Sequence, residues 1–263
     1  MKVLISDNLH QAGIDILKVH GNIDVVARPG MKPEELLAEI KDADALVIRS
    51  ATKVTAELIA AAPRLKVVGR AGTGLDNVDI PAASKRGIVV MNTPGGNTIT
   101  TAEHALSLMM ALARNIPQAA NSMRAGNWEK KKFQGTELFN KTLGIIGMGR
   151  IGTVVAERGL GLRMRVLCYD PFITKELAAK IGAESVSLDE LLARSDFITI
   201  HTPKTKDTAK LLGREAFRKM KPGVRLINCA RGGPDRRGGL ADRLEGRQSG
   251  GRRPGCFRDR AAG

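Results

Sequence analysis

Three glycines and one aspartate have the spacing of a nucleotide-binding site. Gly147, Gly149 and Gly152 form a GxGxxG pattern in TLGIIGMGRIG (142–152), between an apolar strand-like run and a helical stretch. In this pattern the first glycine allows a tight turn, the second lets the backbone approach a pyrophosphate, and the third lets the helix pack closely on the strand. The N-terminus of the helix adds unpaired N–H groups and a positive dipole end. The same glycines would also suit a turn that binds nothing.

Asp170 ends the next strand-like run, RVLCYDP (165–171), about twenty residues after the glycines. An acidic side chain at this place accepts hydrogen bonds from the ribose hydroxyls of a dinucleotide. Pro171 and Phe172 follow it rather than an arginine, so a 2′-phosphate would meet a carboxylate. The pattern therefore predicts a site that takes NAD in preference to NADP.

Short β-branched runs alternate with amphipathic helical stretches through the first 233 residues. We predict strands at 2–6, 23–27, 45–49, 65–69, 88–92, 143–146, 165–169, 197–200 and 224–229. Repeated βαβ units imply parallel sheets with helices on both faces. The expected fold is α/β, with two Rossmann-like or flavodoxin-like parallel-sheet domains, residues 1–95 and 96–233, joined by one long helix at 98–120.

The composition excludes several classes of protein. The chain has 263 residues, of which 43% are hydrophobic and 3% aromatic, and this is enough for two aliphatic cores. No apolar run is long enough to span a membrane, and the N-terminus lacks the pattern of a secretory signal. Cys168, Cys229 and Cys256 form no CxxC pair, so we expect a cytoplasmic protein without a metal site.

The net charge of +15 would ordinarily suggest a nucleic-acid partner. Residues 234–263 contribute +4 of this total, from eight arginines and four acidic residues. In the rest of the chain the charges alternate in sign, as they do on solvated helix faces, and only EKKKF (129–133) is a cluster. We therefore do not expect nucleic-acid binding.

Four separated stretches resemble the D-isomer-specific 2-hydroxyacid dehydrogenases. They are VGRAGTGLDNVD (68–79), VVMNTPGGNTITTAEHALSLMMALAR (89–114), the GxGxxG with Asp170, and HTPKT with LINCARGG (201–233). The resemblance covers residues 1–233 and implies NAD-dependent oxidation of a small 2-hydroxy acid, with a phosphorylated substrate favoured. It also implies a substrate domain followed by a nucleotide domain, and a homodimer or homotetramer.

The resemblance assigns roles to residues of the matching motifs. Arg231 would be the catalytic arginine. Besides the three glycines and Asp170, the cofactor would contact Thr73, Arg150, Ile151, Thr202, Cys229, Ala230 and Arg231. His201 is expected to have a structural role.

A 2-hydroxy acid presents a carboxylate beside the carbon that loses hydride. The forked guanidinium of an arginine such as Arg231 can bind that carboxylate and polarise the 2-oxygen together. The turn Gly72–Thr73–Gly74 offers backbone amides as an anion nest. A phosphate needs further cations, for which Arg49 and Arg70 are candidates, with Ser50 and Asn97 as polar neighbours. The alternative is that both arginines are exposed charges at strand ends.

Residues 234–263 match neither the body of the chain nor the family. The resemblance implies a histidine that takes the hydroxyl proton and a glutamate that orients it, in segments like PH and ALDVFxxEPP that the chain lacks. Codons allowed for PGCFRDRAA (254–262), shifted by one base, encode Leu-Asp-Val-Phe-Glu-Ile-Glu-Pro. We therefore predict that a one-base insertion or deletion near codon 234 put the tail out of frame. A disordered tail and weak or absent turnover are expected.

Three other interpretations stay open. The chain also fits a dehydrogenase that acts on glyoxylate, hydroxypyruvate or another small 2-oxo acid. It fits a non-catalytic NAD-binding pseudoenzyme, because the proton-accepting groups are missing. It also fits a corepressor-like relative whose Arg/Gly tail binds nucleic acid.

The out-of-frame hypothesis specifies a nucleotide sequence. Sequencing the encoding DNA from codon 228 onward should show KVAGAALDVFEIEPP in the shifted frame, followed by a Pro-His turn. The written tail dictates two bases of each shifted codon, so a run of this length does not arise easily by chance. A shifted frame that encodes neither segment would mean that the Arg/Gly tail is genuine.

Overall fold

The computed structural model describes residues 1–203, Thr205, Thr208, 211–230 and 256–258. These residues form two compact units. The first unit is Met1–Asn97, and the second begins at Thr98. The division lies two residues beyond the boundary expected at residue 95, directly before a helix.

A five-stranded parallel sheet forms the first unit. Its strands are β1 (Lys2–Ile5), β2 (Asp24–Ala27), β3 (Ala45–Ile48), β4 (Val67–Arg70) and β5 (Val89–Asn92). Its helices are α1 (Gln11–Val19), α2 (Pro33–Glu39), α3 (Ala56–Ala60) and α4 (Ile80–Lys85), with a 3₁₀ turn at Ile40–Asp42. The strand order is β2-β1-β3-β4-β5, which is the flavodoxin-like order with its switch point between β1 and β3.

Helices cover both faces of this sheet, which explains why its strands read as almost continuous aliphatic runs. On one face Leu4 and Leu46 are fully buried in a core that also contains Leu36 and Leu58 from α2 and α3. On the other face Val3 and neighbouring strand residues pack with partly buried side chains of α1. Because side chains alternate along a strand, β1 contributes to both cores.

A six-stranded parallel sheet forms the second unit. Its strands are β6 (Thr142–Ile146), β7 (Arg165–Tyr169), β8 (Glu184–Ser185), β9 (Phe197–Ile200), β10 (Arg225–Asn228) and β11 (Cys256–Arg258). Its described helices are α5 (Thr98–Arg114), α6 (Ile116–Arg124), α7 (Arg150–Gly161), α8 (Lys175–Ile181), α9 (Leu188–Arg194) and α10 (Arg214–Lys219), with a 3₁₀ turn at Lys130–Phe133. The order β11-β10-β9-β6-β7-β8 places the switch point between β6 and β9. The predicted class, α/β with two parallel sheets, is confirmed.

Two apolar layers bury the faces of the second sheet. One layer contains Met109 of α5 and Val155 of α7 together with strand residues such as Ile145. The other contains Leu191 of α9 and Phe217 of α10. The sheet thus lies between helices, and function is expected at the carboxyl ends of its strands.

The prediction of a single long helix at 98–120 is wrong. α5 ends at Arg114, Asn115 has a left-handed backbone (φ 54°), and α6 begins at Ile116. Pro117 lies in the first turn of α6, where a missing N–H costs no intrahelical bond. Asn115 tolerates the left-handed conformation, and its Nδ2 donates to the Gln134 carbonyl at 3.1 Å. The apolar pattern continues across this break, so periodicity did not reveal it.

The expectation that the whole tail is disordered is also wrong for three residues. Cys256–Arg258 form β11, which pairs in parallel with β10 and brings Cys256 opposite Leu226. Backbone groups at the edge of β10 can pair with any extended segment, because ladder hydrogen bonds do not depend on side-chain identity. The rest of 234–263 lies outside the described residues.

None of the helices in the described part of the chain combines the length and apolar character needed to cross a membrane. The longest of them, α5, has 17 residues. Its apolar side chains, such as Ala105 and Met109, are buried in the core of the second unit.

Gly144→Ala should destabilise the second unit. Gly144 lies in the middle of β6, where a Cβ atom would overlap Ser195 Oγ and lie 2.7 Å from Leu191 Cδ2. Ser195 Oγ donates to the Leu191 carbonyl at 2.6 Å, so the two neighbours cannot easily separate. Overpacking of this kind costs about 1–3 kcal/mol. Thermal unfolding measures the fall in Tm.

Gly161→Ala is the matched control. A Cβ atom at Gly161 would meet nothing within 4 Å, so its Tm should stay equal or rise slightly. An equal fall in Tm for both variants would contradict the overpacking argument.

Candidate active site

The candidate cofactor residues lie at the carboxyl ends of neighbouring strands in the second sheet. Gly147 follows β6, Asp170 follows β7, Thr202 lies just beyond β9, and Cys229 follows β10. Parallel pairing brings these ends to one edge, around the switch point between β6 and β9. Open α/β sheets bind their ligands at this place.

The three glycines of the GxGxxG pattern have three different surroundings, and two of them leave no room for a side chain. Gly147 has φ +95°, and a Cβ atom there would lie 2.9 Å from the backbone of His201. Gly149 is the N-cap of α7, and a Cβ atom there would meet nothing within 4 Å. At Gly152 a Cβ atom would overlap the carbonyl oxygen of Gly147, so the helix packs closely on the turn. The exposed backbone at Gly149 has room for a phosphate group.

Arg150 and Ile151 form the start of α7. Arg150 is exposed and Ile151 is partly buried against the core. No side chain caps this helix, since its N-cap is a glycine. The first N–H groups of the helix are therefore accessible to an anion.

Asp170 is half-buried and holds the glycine turn. Its Oδ2 accepts a hydrogen bond from Met148 N at 2.7 Å, and its Oδ1 accepts one from Phe172 N at 2.9 Å. Each carboxylate oxygen has two lone pairs, so each can accept one further hydrogen bond, such as one from a ribose hydroxyl. Asp170 therefore combines a structural contact with a free acceptor face.

Thr202 has a buried hydroxyl that is not satisfied. Its Oγ1 is among four buried side-chain atoms without a hydrogen-bond partner in the described part of the chain. A buried polar atom of this kind is destabilising unless a ligand or water satisfies it. Together with the open backbone at Gly149, the Thr202 hydroxyl shows that the residues present fit a dinucleotide.

His201 lies next to Thr202, and its backbone packs against Gly147. Burial lowers the pKa of its imidazole to about 4, so the ring is neutral at pH 7. Its Nε2 lies 2.9 Å from Thr199 Oγ1. A neutral ring held this way agrees with the predicted structural role.

The carboxyl end of β10 is followed by Cys229 and Ala230, both partly buried. Ala230 N donates to Asn228 Oδ1 at 3.0 Å, which shapes the backbone after β10. Arg231, the predicted catalytic residue, lies outside the described residues. Its role stays a prediction.

The candidate substrate residues lie at the carboxyl edge of the first sheet. Arg49 and Ser50 follow β3 and are exposed. Arg70, the last residue of β4, is only 7% exposed, so it is not the surface charge that the alternative required. Its guanidinium lies beside Gly72, where a Cβ atom would overlap Nη1. Arg70 is thus a buried arginine next to the glycine turn.

The Gly72–Thr73–Gly74 turn offers fewer amides than expected. Gly72 N donates to the Arg70 carbonyl at 2.8 Å and is not free for a ligand. Thr73 N and Gly74 N donate to no group among the described residues. Thr73 Oγ1 lies 2.8 Å from Asn97 Oδ1, which brings these two predicted residues together.

Sequence reasoning missed two residues of this edge. Asp7 follows β1, and its buried carboxylate accepts hydrogen bonds from the backbone of Arg49 and Thr52. Asn77 donates to the carbonyls of the same two residues. The signal that could have found Asp7 is a polar pair, Ser6–Asp7, directly after a buried strand next to the switch point.

Comparison with known proteins places the chain in a family. Residues 106–251 match the family model described as "D-isomer specific 2-hydroxyacid dehydrogenase, NAD binding domain". The chain belongs to the D-isomer-specific 2-hydroxyacid dehydrogenases. Its second unit is thus the NAD-binding domain of this family, and the predicted family membership is confirmed.

Individual relatives of this chain carry the name D-3-phosphoglycerate dehydrogenase. The protein from Archaeoglobus fulgidus is 54% identical over 233 residues, covering 89% of this chain and 44% of the relative. The protein from Synechocystis is 50% identical over 250 residues, covering 95% and 45%. The chain therefore spans less than half the length of these two relatives.

A solved structure of the same family supports the fold. The D-lactate dehydrogenase from Aquifex aeolicus, complexed with NAD and lactic acid, has a TM-score of 0.79 and 32% identity. The match covers 88% of this chain and 69% of that one. Most of this chain thus follows an architecture known from a solved structure.

Protonation of His201 should weaken the fold at acid pH. Its pKa is about 4 in the folded chain and about 6.5 in an unfolded one. Between these values the unfolded chain binds a proton that the folded chain does not. The free energy of unfolding therefore has its full value above about pH 6.5 and decreases as the pH drops. At pH 5 the decrease due to His201 is about 2 kcal/mol.

Urea denaturation at pH 7 and pH 5 measures this difference. In His201→Asn the free energy of unfolding should decrease much less between pH 7 and pH 5 than it does in wild type. His20→Asn, which removes an exposed histidine of the first unit, should keep it. An identical pH dependence in wild type and His201→Asn would rule out His201 as its source.

Proposed function

We propose that this chain carries the NAD-binding and substrate-binding parts of an enzyme that oxidises D-3-phosphoglycerate to 3-phosphohydroxypyruvate, the first step of serine biosynthesis. The observation that carries this proposal is the open cradle formed by Gly149, Asp170 and Thr202 at the switch point of the second sheet. The names of the relatives from Archaeoglobus fulgidus and Synechocystis support the substrate.

The chain's own residues would hold NAD at this cradle. The N–H groups at the start of α7 and the open backbone at Gly149 would bind the pyrophosphate. Asp170 would accept from the ribose hydroxyls and repel a 2′-phosphate. Thr202, Cys229 and Ala230 would line the nicotinamide end, where the unsatisfied Thr202 hydroxyl supplies a hydrogen bond. When bound, NAD accepts the hydrogen of the substrate's C2 as hydride.

Two charges of the substrate suit the first unit. A phosphoglycerate carries a carboxylate at one end and a phosphate at the other. The amides of Thr73 and Gly74 would form one anion-binding group. The exposed Arg49 with Ser50 forms another. Arg231 would polarise the 2-oxygen as hydride leaves, as the family resemblance implies.

Loss of hydride from C2 must be accompanied by loss of the hydroxyl proton. The family resemblance implies a histidine and a glutamate for this task, and codons allowed for the tail would encode the glutamate segment when shifted by one base. A missing general base lowers the rate by about 10²–10⁴-fold. Residues 234–263 as written do not supply the glutamate segment. We therefore infer that turnover is weak with this tail, and that the product of the shifted frame would be an ordinary dehydrogenase.

The neutral His201 does not replace the missing base. Its ring is held by Thr199, whose Oγ1 lies 2.9 Å from Nε2. A group whose pKa is about 4 is also a weak proton acceptor at pH 7.

A dehydrogenase for glyoxylate or hydroxypyruvate is the second candidate. It is favoured by the likeness to the Aquifex aeolicus D-lactate dehydrogenase, whose ligand has no phosphate. The two candidates differ in whether a 3-phosphate on the substrate improves its binding to this chain. In an enzyme made from the shifted frame, they also differ in whether the 3-phosphate raises kcat/KM.

A cytoplasmic homo-oligomer is part of the same proposal. Ile116, Met123 and Trp128 are exposed apolar residues on and after α6, with 52%, 54% and 79% of their surface accessible. Exposed apolar groups that lie close together in the chain favour a protein interface. Analytical ultracentrifugation of the purified chain measures the oligomeric state.

Asp170→Ala should weaken NADH binding by about 10–100-fold, because the loss of a hydrogen bond to a charged group costs about 1.5–3 kcal/mol. Calorimetric titration of the 263-residue chain with NADH and NADPH measures both affinities. Wild type should prefer NADH. Asp24→Asn, an exposed change in the first unit, is the control and should bind as wild type does. Equal affinity for NADH and NADPH in wild type would contradict the role given to Asp170.

A further inference from the structure

We propose that Asp7 and Asn77 are positioning residues, which fix the loop 49–52 in a conformation that binds the phosphate of the substrate. The inference rests on the proposed function and concerns only the first unit. The loop follows β3 at the switch point between β1 and β3, where a ligand is expected in this strand order.

Asp7 holds the loop from one side. Its Oδ2 accepts from Arg49 N at 2.6 Å, and its Oδ1 accepts from Thr52 Oγ1 at 2.6 Å and from Thr52 N at 3.1 Å. The residue is only 6% exposed. A buried carboxylate without hydrogen bonds would be strongly destabilising, so the loop must keep this conformation to satisfy it.

Asn77 holds the same two residues through their carbonyl groups. Its Nδ2 donates to the Arg49 carbonyl at 2.8 Å and to the Thr52 carbonyl at 2.6 Å. Asp7 therefore binds the N–H groups of Arg49 and Thr52, and Asn77 binds their C=O groups. With both ends fixed in this way, the two residues between them have little conformational freedom.

We call Asp7 and Asn77, which hold the two ends of the loop 49–52, the clamp. Backbone pairing extends this clamp beyond the loop. Val54 N donates to the Asn77 carbonyl at 2.8 Å, and Asp79 N donates to the Val54 carbonyl at 2.8 Å. Val54 and Val78 form a parallel bridge. The position of Asn77 is thus itself fixed relative to the end of the loop.

The hydrogen-bond donors of the loop that the clamp does not use are of the kind that bind anions. Ser50 N and Ala51 N donate to no group among the described residues. The exposed guanidinium of Arg49 makes one hydrogen bond there, from Nη1 to the Asn8 carbonyl at 3.3 Å, and no ion pair. Two free consecutive amides beside a cation and the Ser50 hydroxyl match the acceptor oxygens of a phosphate.

The clamp also explains how a carboxylate can lie next to an anion site. Four donor contacts from Arg49 N, Thr52 N and Thr52 Oγ1 surround the Asp7 oxygens, and burial separates them from solvent. Because its charge is compensated within the loop, Asp7 can orient the loop with little repulsion of the ligand. An asparagine here would turn an NH₂ group towards one of these donors.

Binding to the purified 263-residue chain tests the proposal, with inorganic phosphate, D-3-phosphoglycerate and D-glycerate as probes in calorimetric titrations. Asp7→Asn should weaken binding of both phosphate-containing probes about tenfold and leave D-glycerate nearly unchanged. Thr52→Val removes the hydroxyl that lies 2.6 Å from Asp7 Oδ1 and 2.8 Å from Ser6 Oγ. It should act in the same direction and protects the test against misfolding of the first variant. Asp24→Asn is the matched control on the same unit. NADH affinity should not change in any variant.

A double-mutant cycle with Arg49→Ala separates positioning from a general loss of structure. If Asp7 acts through the loop, Asp7→Asn should have little further effect on phosphate binding once Arg49 is removed. Phosphate affinity that is unchanged in Asp7→Asn and Thr52→Val, or fully additive effects in the cycle, would overturn the proposal. Wild type that binds no phosphate would overturn it as well. Wild type that binds phosphate but does not prefer D-3-phosphoglycerate to D-glycerate would remove the proposed substrate and leave the clamp in place.

Discussion

Parallel pairing of strands is the interaction on which both candidate sites depend. In each sheet the hydrogen-bonded register aligns the carboxyl ends of the strands, so residues far apart in the chain reach one edge. Gly147, Asp170 and Thr202 meet in this way in the second sheet. Helices cover the sheet faces and leave these ends accessible. The order of the strands then decides where the chain reverses direction and a ligand has room.

At both edges, a buried or half-buried carboxylate shapes the backbone that would meet the ligand. Asp170 accepts from the amide of Met148, within the glycine turn, and Asp7 accepts from the amides of Arg49 and Thr52. In each case a carboxylate at a strand end takes backbone N–H groups of an adjacent loop and leaves other amides free. The cost of burying an unsatisfied carboxylate is what makes these loop conformations specific. Preorganised amides lose little entropy when an anion binds.

The two wrong expectations have a common physical origin. Helix periodicity reports which face of a segment is buried, and that face is continuous from α5 into α6, although Asn115 and Pro117 interrupt the backbone. The tail composition predicted disorder, yet the edge of β10 offers main-chain groups to any extended segment, and Cys256–Arg258 pair with it. Side-chain composition therefore failed where backbone geometry decided the outcome.

The order of elements, the α/β class and the glycine turn follow from the sequence alone, because apolar runs, β-branched residues and glycine spacing report local conformation and burial. Most of the strands begin and end within a residue or two of the expected positions, and family motifs identified the candidate cofactor residues. The burial of Arg70, the loss of the Gly72 amide from the anion nest and the clamp formed by Asp7 and Asn77 required the tertiary structure. These features join residues up to 45 positions apart, such as Asp7 and Thr52. Hydrogen bonds of that range arise only when the sheet order sets which strand ends are neighbours, and no local pattern in the sequence records that order.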